Sequence, residues 1–179
     1  MKKLIILLCV ALLSTQAKAI YFDDDAIEEG YRGFADFSYT LGVGDGQDID
    51  RVSVLTSHGY QIAPQFYAGA GFGVNYFYDL EYANMPIFLH LRSDFLNNDI
   101  TPFAEVRVGY SLFNIEGFYL NPAIGCRFSL SDNIAMNVSV GYTMQKTDYS
   151  ISWSSGGYHD SIYDSFNAGG IDFRICIEF

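Results

Sequence analysis

Between residues 101 and 112, Pro102, Ala104, Val106, Val108, Tyr110 and Leu112 alternate with Thr101, Phe103, Glu105, Arg107, Gly109 and Ser111. A period of two is the signature of an extended strand, so this stretch has one apolar face and one charged face. The pattern recurs. Ile134, Met136, Val138, Val140, Tyr142 and Met144 alternate with Ala135, Asn137, Ser139, Gly141, Thr143 and Gln145, and Ile171, Phe173, Ile175, Ile177 and Phe179 alternate with Asp172, Arg174, Cys176 and Glu178. Phe66, Ala68, Ala70, Phe72, Val74 and Tyr76 face away from Gly69, Gly71, Gly73 and Asn75.

Eight such segments are expected: Tyr31 to Val43, Arg51 to Ile62, Gln65 to Tyr78, Pro86 to Phe95, Thr101 to Leu112, Phe118 to Leu130, Ile134 to Gln145 and Phe166 to Phe179. They are longer than the five or six residues usual in soluble sheets and long enough for a tilted strand to cross a bilayer. Tight turn signals at Ala63-Pro64, Asn97-Asn98-Asp99 and Ser131-Asp132-Asn133 alternate with looser acidic connections at 44–50, 79–84, 114–117 and 146–165. That order fits an all-β, antiparallel, up-and-down eight-stranded transmembrane barrel with both termini on one side and the long loops on the other.

Periodicity does not say which face is inside, and a soluble lipocalin-type barrel would alternate equally well. The charges discriminate. After residue 19 the basic residues are Arg32, Arg51, Arg92, Arg107, Arg127, Arg174 and Lys146, and the six arginines all fall at polar-face positions of expected strands. The same face carries Asp36, Asp94, Glu105, Asp172 and Glu178, with His90 beside Arg92. A wet exterior mixes Lys, Glu and Asp freely. A nearly neutral set of arginines and acids instead reads as the self-paired filling of a narrow lumen, because eight strands leave room inside for side chains and little else. The other face carries no Asp, Glu, Lys or Arg, as lipid requires, since a mid-bilayer charge costs about 2–4 kcal/mol. Tyr39, Tyr60, Tyr76, Tyr78, Tyr110, Tyr142 and Phe179 lie toward segment ends on it and read as aromatic girdles.

Met1 to Ala19 begins with Lys2 and Lys3, runs through an apolar stretch from Leu4 to Leu13 and has a small-residue ending, which reads as a secretory signal peptide (residues 1–19). An acidic tail over residues 20–30 is expected to be periplasmic, and residues 31–179 form the barrel domain. Cys126 and Cys176 then fall on opposite faces of non-adjacent strands and read as apolar packers. The chain is 50% hydrophobic and 17% aromatic with a net charge of −11, which excludes both a disordered chain and a nucleic-acid binder.

The chain resembles the small eight-stranded outer-membrane β-barrels of Gram-negative bacteria, the OmpX-like or porin-family group. The pieces that carry the resemblance are Gly59-Tyr-Gln-Ile-Ala-Pro, Tyr67-Ala-Gly-Ala-Gly-Phe-Gly, Thr101-Pro-Phe-Ala-Glu and Gly117-Phe-Tyr-Leu-Asn-Pro. The terminal segment, with Phe173, Ile175, Ile177 and a final Phe179, looks like the signal read by the barrel-assembly machinery. The resemblance implies an outer-membrane location with lipid and lipopolysaccharide as neighbours. It carries over no catalytic residues.

Few constellations suggest chemistry. His90 with Glu105 and Arg107 reads as a lumen plug without substrate access, His159-Asp160-Ser161 does not form a relay in an extended chain, and outward-facing His58 lies near a tight turn. The acidic loops show no calcium-loop spacing, so no metal or cofactor is expected. Residues 149–163 alternate on either side of Gly156-Gly157, a hairpin signature, although an ordinary flexible loop fits as well. As a hairpin it would protrude and present Ile151, Trp153, Tyr158 and Tyr163 to a host or cell-surface protein. The expected role is structural or adhesion-type and not enzymatic. The alternatives are a narrow solute channel or, further off, a lipid-modifying outer-membrane enzyme.

Overall fold

The computed structural model describes residues 29–43, 49–114, 116–131, 133–155 and 158–179, with backbone alone for 146–168. The expected signal peptide and nearly all of the acidic tail lie outside the described residues. Eight strands follow one another: β1 (Gly30–Gly42), β2 (Arg51–Ala63), β3 (Phe66–Phe77), β4 (Tyr82–Asp94), β5 (Ile100–Leu112), β6 (Gly117–Ser131), β7 (Ile134–Ser155) and β8 (Tyr158–Glu178). Each pairs antiparallel with the next, and β1 pairs with β8 from Phe34↔Glu178 to Gly42↔Gly170, closing the barrel.

The turn chemistry sets the short connections. Pro64 and Gln65 alone separate β2 from β3, with a register shift between Gln61 and Ala63, and a second shift between Ser129 and Ser131 precedes the β6–β7 turn. Extra residues of this kind bend a strand at a barrel rim. In the β4–β5 turn, the Thr101 hydroxyl donates to the Asn98 carbonyl at 2.7 Å.

Two differences from the expected segments have physical causes. β4 begins at Tyr82 instead of Pro86, so the preceding loop is shorter than read from sequence. Proline lacks an N–H and reads as a strand end, yet here the ladder merely skips a step. β3–β4 pairing passes from Phe72↔Ile87 to Asn75↔Asn84 without a change of register, and β6–β7 does the same around Pro122, from Leu120↔Met144 to Ala123↔Gly141. The second difference is that β7 and β8 do not stop at Gln145 and Phe166. They stay paired out to Ser155↔Tyr158, across what the segment boundaries left as a loop.

The two faces differ as sharply as their chemistry. Val54, Leu89, Ile124 and Ile175 are at least half exposed on the outside, along with Phe37, Phe66, Phe72 and Phe173. A continuous exterior of this kind is unsustainable in water and suited to lipid. All six strand arginines are buried inside, at 7% exposure or less. A lipocalin-type arrangement, with the apolar set inside, is the reverse of this one.

Candidate functional site: a buried polar lumen beneath a two-stranded ribbon

The twelve lumen positions read from sequence, Arg32, Asp36, Arg51, His90, Arg92, Asp94, Glu105, Arg107, Arg127, Asp172, Arg174 and Glu178, are all buried inside the barrel. They interlock in three tiers.

In the tier nearest the termini, the Glu178 carboxylate collects three cations. Arg32 donates to Oε1 from Nε at 3.1 Å and again from Nη2, Arg127 Nε donates at 3.0 Å, and Arg92 Nη1 lies 3.9 Å from Oε2. Arg92 also forks onto Asp94 Oδ1 at 2.9 and 2.7 Å. The middle tier centres on Glu105. It accepts from Arg174, lies 3.4 Å from Arg107 Nη2 and meets His90 Nε2 at 3.0 Å, while Arg107 pairs with Asp36 at 3.0 Å. In the upper tier Asp172 accepts from Arg174 at 2.6 Å and from Thr40 at 2.8 Å, and Arg51 donates to Thr40 at 3.2 Å and to Gln145 at 3.3 Å.

Between these polar groups sit rings that charge counting alone does not anticipate. Phe34, Tyr67, Phe77, Phe88, Phe103 and Tyr119 are all buried. Arginine planes lie over them: Arg92 over Phe103 at 3.7 Å, Arg32 and Arg92 over Phe34 at 5.5 Å, Arg107 over Phe88 at 5.4 Å and Arg51 over Phe77 at 5.6 Å. Their signal in the sequence was parity. Phe34 falls between Arg32 and Asp36 at the same two-residue step, and Phe103 shares the face of Glu105. Glycines make the space: a Cβ on Gly71 would lie 2.6 Å from the Phe88 ring, and one on Gly125 2.6 Å from Phe103 Cζ.

The structure also forms a hydroxyl–imidazole–carboxylate chain. Ser57 Oγ is 2.9 Å from His90 Nδ1, and His90 Nε2 faces Glu105. The neutral tautomer protonated at Nε2 satisfies both contacts. These are the residue types of a hydrolytic relay. Here Ser57 and His90 are both fully buried and Glu105 is held by two arginines, so the chain acts as a strut between β2, β4 and β5. His58 is exposed on the outer face, bound to Tyr31 at 2.6 Å and Thr56 at 3.1 Å. Cys126 and Cys176 are free. Among the described residues no group of His, Cys, Asp and Glu is placed to hold a metal.

At the mouth opposite the termini, Ile49 packs with Phe77 and Leu80. Asp50 laces the rim: it accepts from Tyr39 at 2.6 Å and from the Gly42 amide at 3.0 Å, and its own amide donates to Asp79 at 3.2 Å. The Tyr39 hydroxyl, followed by the Gly42 N–H, holds the Asp50 carboxyl below its ordinary range. Asn114 donates to the Ala83 carbonyl at 2.8 Å, tying the β5–β6 loop to the start of β4. Among the described residues, only β7 and β8 continue above this rim. The β6–β7 ladder ends at Gly117↔Thr147 and the β1–β8 ladder at Gly42↔Gly170, with the Val43 amide donating to the Gly169 carbonyl just beyond, so among the described residues the outer edges of the ribbon above these points are unpaired. Ile151, Trp153, Tyr158 and Tyr163 lie on this ribbon; their side chains are outside the described residues. Phe173, Ile175, Ile177 and Phe179 face outward along the closing strand and just past its end.

No protein-family model matches the sequence, and no curated protein matches it significantly. Solved structures do match. Neisserial surface protein A is 12% identical over 83% of this chain and 96% of its own, with a TM-score of 0.61. The outer membrane protein OprG from Pseudomonas aeruginosa is 14% identical over 87% and 98%, with a TM-score of 0.64. A de novo designed transmembrane β-barrel is 14% identical over 89% and 98%, with a TM-score of 0.53. With its charges sealed inside and its apolar side chains outside, the chain has the closed eight-stranded antiparallel barrel fold of these outer-membrane proteins.

Proposed function

We propose that the protein is an integral outer-membrane barrel closed to solutes, with a structural or adhesion-type role exercised from its extracellular side. The observation that carries the closed reading is the interior. Each tier joins side chains from at least three strands, and rings occupy the space between the arginines. Opening a path would strip several buried charges of their partners at once, at about 3–5 kcal/mol for each pair broken.

The surface role rests on the β7–β8 ribbon and the acidic loops. Unpaired strand edges are templates for an added strand, and Ile151, Trp153, Tyr158 and Tyr163 are the contact residues in this reading. Lipopolysaccharide and outer-membrane lipid are the neighbours of the belt, and the segment ending at Phe179 is the piece the assembly machinery reads.

The test has two stages. Cell fractionation followed by electrophoresis with and without boiling should give outer-membrane recovery and a heat-dependent mobility shift. Planar-bilayer recording of the purified barrel should then show no steady conductance. Steady, ion-selective steps would replace the closed reading with that of a narrow channel.

A further inference from the structure

One corner of the outer surface, at the end of the barrel that carries the termini, gathers four rings on β1, β2 and the end of β8. Tyr31 and Tyr60 face each other across the β1–β2 ladder, and Gly33 and His58 do the same one step further in. Phe179 follows β8 and exchanges backbone hydrogen bonds with Gly33, its carbonyl accepting at 2.7 Å and its amide donating at 2.9 Å. Gly33 has no Cβ to hold the Phe179 ring off β1; one placed there would stand 2.6 Å from the ring. The ring thereby reaches His58, edge to face with centroids 6.2 Å apart, and Tyr31 stacks on the same imidazole at 6.1 Å. On the far side of β2 the positions opposite Tyr60 and His58 are Ala68 and Ala70, too small to crowd the rings.

The protons of this cluster are all spent within it. Thr56 donates to the Phe34 carbonyl at 3.0 Å, so its oxygen accepts from His58 Nε2 at 3.1 Å, and in the neutral imidazole Nε2 carries the proton. Nδ1 then accepts from the Tyr31 hydroxyl at 2.6 Å. What is left for a neighbour is lone pairs on the Tyr31 oxygen and the faces of Tyr31, Tyr60 and Phe179, which are 61%, 58% and 49% exposed. Glu29, exposed beside the start of β1, adds a carboxylate at this edge, and among the described residues no Lys or Arg is exposed. Lone pairs, ring faces and a carboxylate suit a cation and repel a phosphate.

We propose that this corner binds the primary ammonium headgroup of a phospholipid in the leaflet on the side of the termini. The Tyr31 oxygen and Glu29 accept its N–H groups, and the rings of Tyr31, Tyr60 and Phe179 stand around the charge. The occupant is a lipid because the corner belongs to the apolar surface that the outer-membrane placement turns toward the bilayer, and the inference rests on that placement. His58 is a positioning residue: by accepting the Tyr31 proton it leaves the lone pairs of that oxygen to the ligand.

The test uses the protein purified from membranes and exchanged into lipid-free nonionic micelles. Short-chain phosphatidylethanolamine and phosphatidylglycerol with the same acyl chains are titrated separately, and the amide resonances of Gly33 and Phe179 report binding. The ethanolamine lipid should bind about tenfold more tightly. Tyr31→Leu, at a side chain exposed on the outside, should abolish the preference. Gly33→Ala, which displaces the Phe179 ring without touching it chemically, should weaken it, and Tyr31→Leu carries the test if that variant fails to fold. Tyr110→Leu, at an exposed tyrosine toward the opposite rim of β5, should leave the preference unchanged. Equal binding of the two lipids overturns the proposal, as does an equal loss of preference with Tyr110→Leu, which would mark a property of interfacial rings in general. A membrane-recovered, heat-modifiable barrel without the preference overturns this inference and leaves the outer-membrane placement standing. Recovery outside the membrane overturns that placement, and the lipid site with it.

Discussion

The Arg92 guanidinium lies 3.7 Å from the centroid of the Phe103 ring, while its nitrogens fork onto Asp94, the residue paired with Phe103 across the β4–β5 ladder. One side chain is thus held by a charge and a ring at once. A desolvated cation–π contact is worth about 2 kcal/mol. Phe103→Leu should therefore lower the unfolding free energy by about 2–3 kcal/mol. Combining it with Arg92→Met should show a coupling above about 0.5 kcal/mol in a double-mutant cycle read by urea unfolding.

Glu105 is the anion that Arg107, Arg174 and His90 share. Glu105→Gln leaves two buried guanidiniums short of charge and should cost about 3–5 kcal/mol. The double variant Glu105→Gln, Arg174→Gln should lose less than the sum of the two single changes. Strict additivity in urea titrations would show that the pair is not coupled.

Gly71 gives way to the Phe88 ring. A methyl group there would lie 2.6 Å from two ring carbons and would also press on the Thr56 carbonyl across the ladder. Gly71→Ala should destabilise by about 1–3 kcal/mol. Adding Phe88→Leu should recover only part of this, since the carbonyl cannot retreat. Full recovery would locate the whole clash in the ring.

Asp50 provides a pH test on the rim opposite the termini. Its carboxyl is lowered from the ordinary value by the Tyr39 hydroxyl and the Gly42 amide. A depressed acid stabilises the fold fully above its ordinary value and loses that contribution as the pH falls through its lower folded value. The Gly42 amide proton resonance should accordingly titrate with a midpoint below that of a free aspartate, and Tyr39→Phe should raise the midpoint.

The ribbon is separable from the barrel, because β1 and β6 complete their pairing below it. Deleting residues 150–162 should leave the heat-dependent gel shift intact. Its loss would mean that the ribbon contributes to barrel closure.

Much of this was legible in the chain. The two-residue period placed Arg32, Asp36, Glu105, Arg174 and Glu178 on one face, and absence of charge marked the other face as the lipid side. β4 was clipped because Pro86 reads as a stop, whereas pairing on either side of it holds the register. The rings Phe34, Phe88 and Phe103 share the parity of the arginines, but a residue type that suits lipid equally well does not announce itself as filling.

The sequence by itself determined strand number, facing and the net pairing of the lumen, because period and charge are local properties that every alternating residue reports independently. Only the tertiary structure decided the partners. Three guanidiniums meet at Glu178 and two at Glu105 because shear and closure bring four to six strands to a common level, and Arg127 keeps an unsatisfied nitrogen for the same reason. Those are distances across a ring, and no local pattern in a chain encodes them.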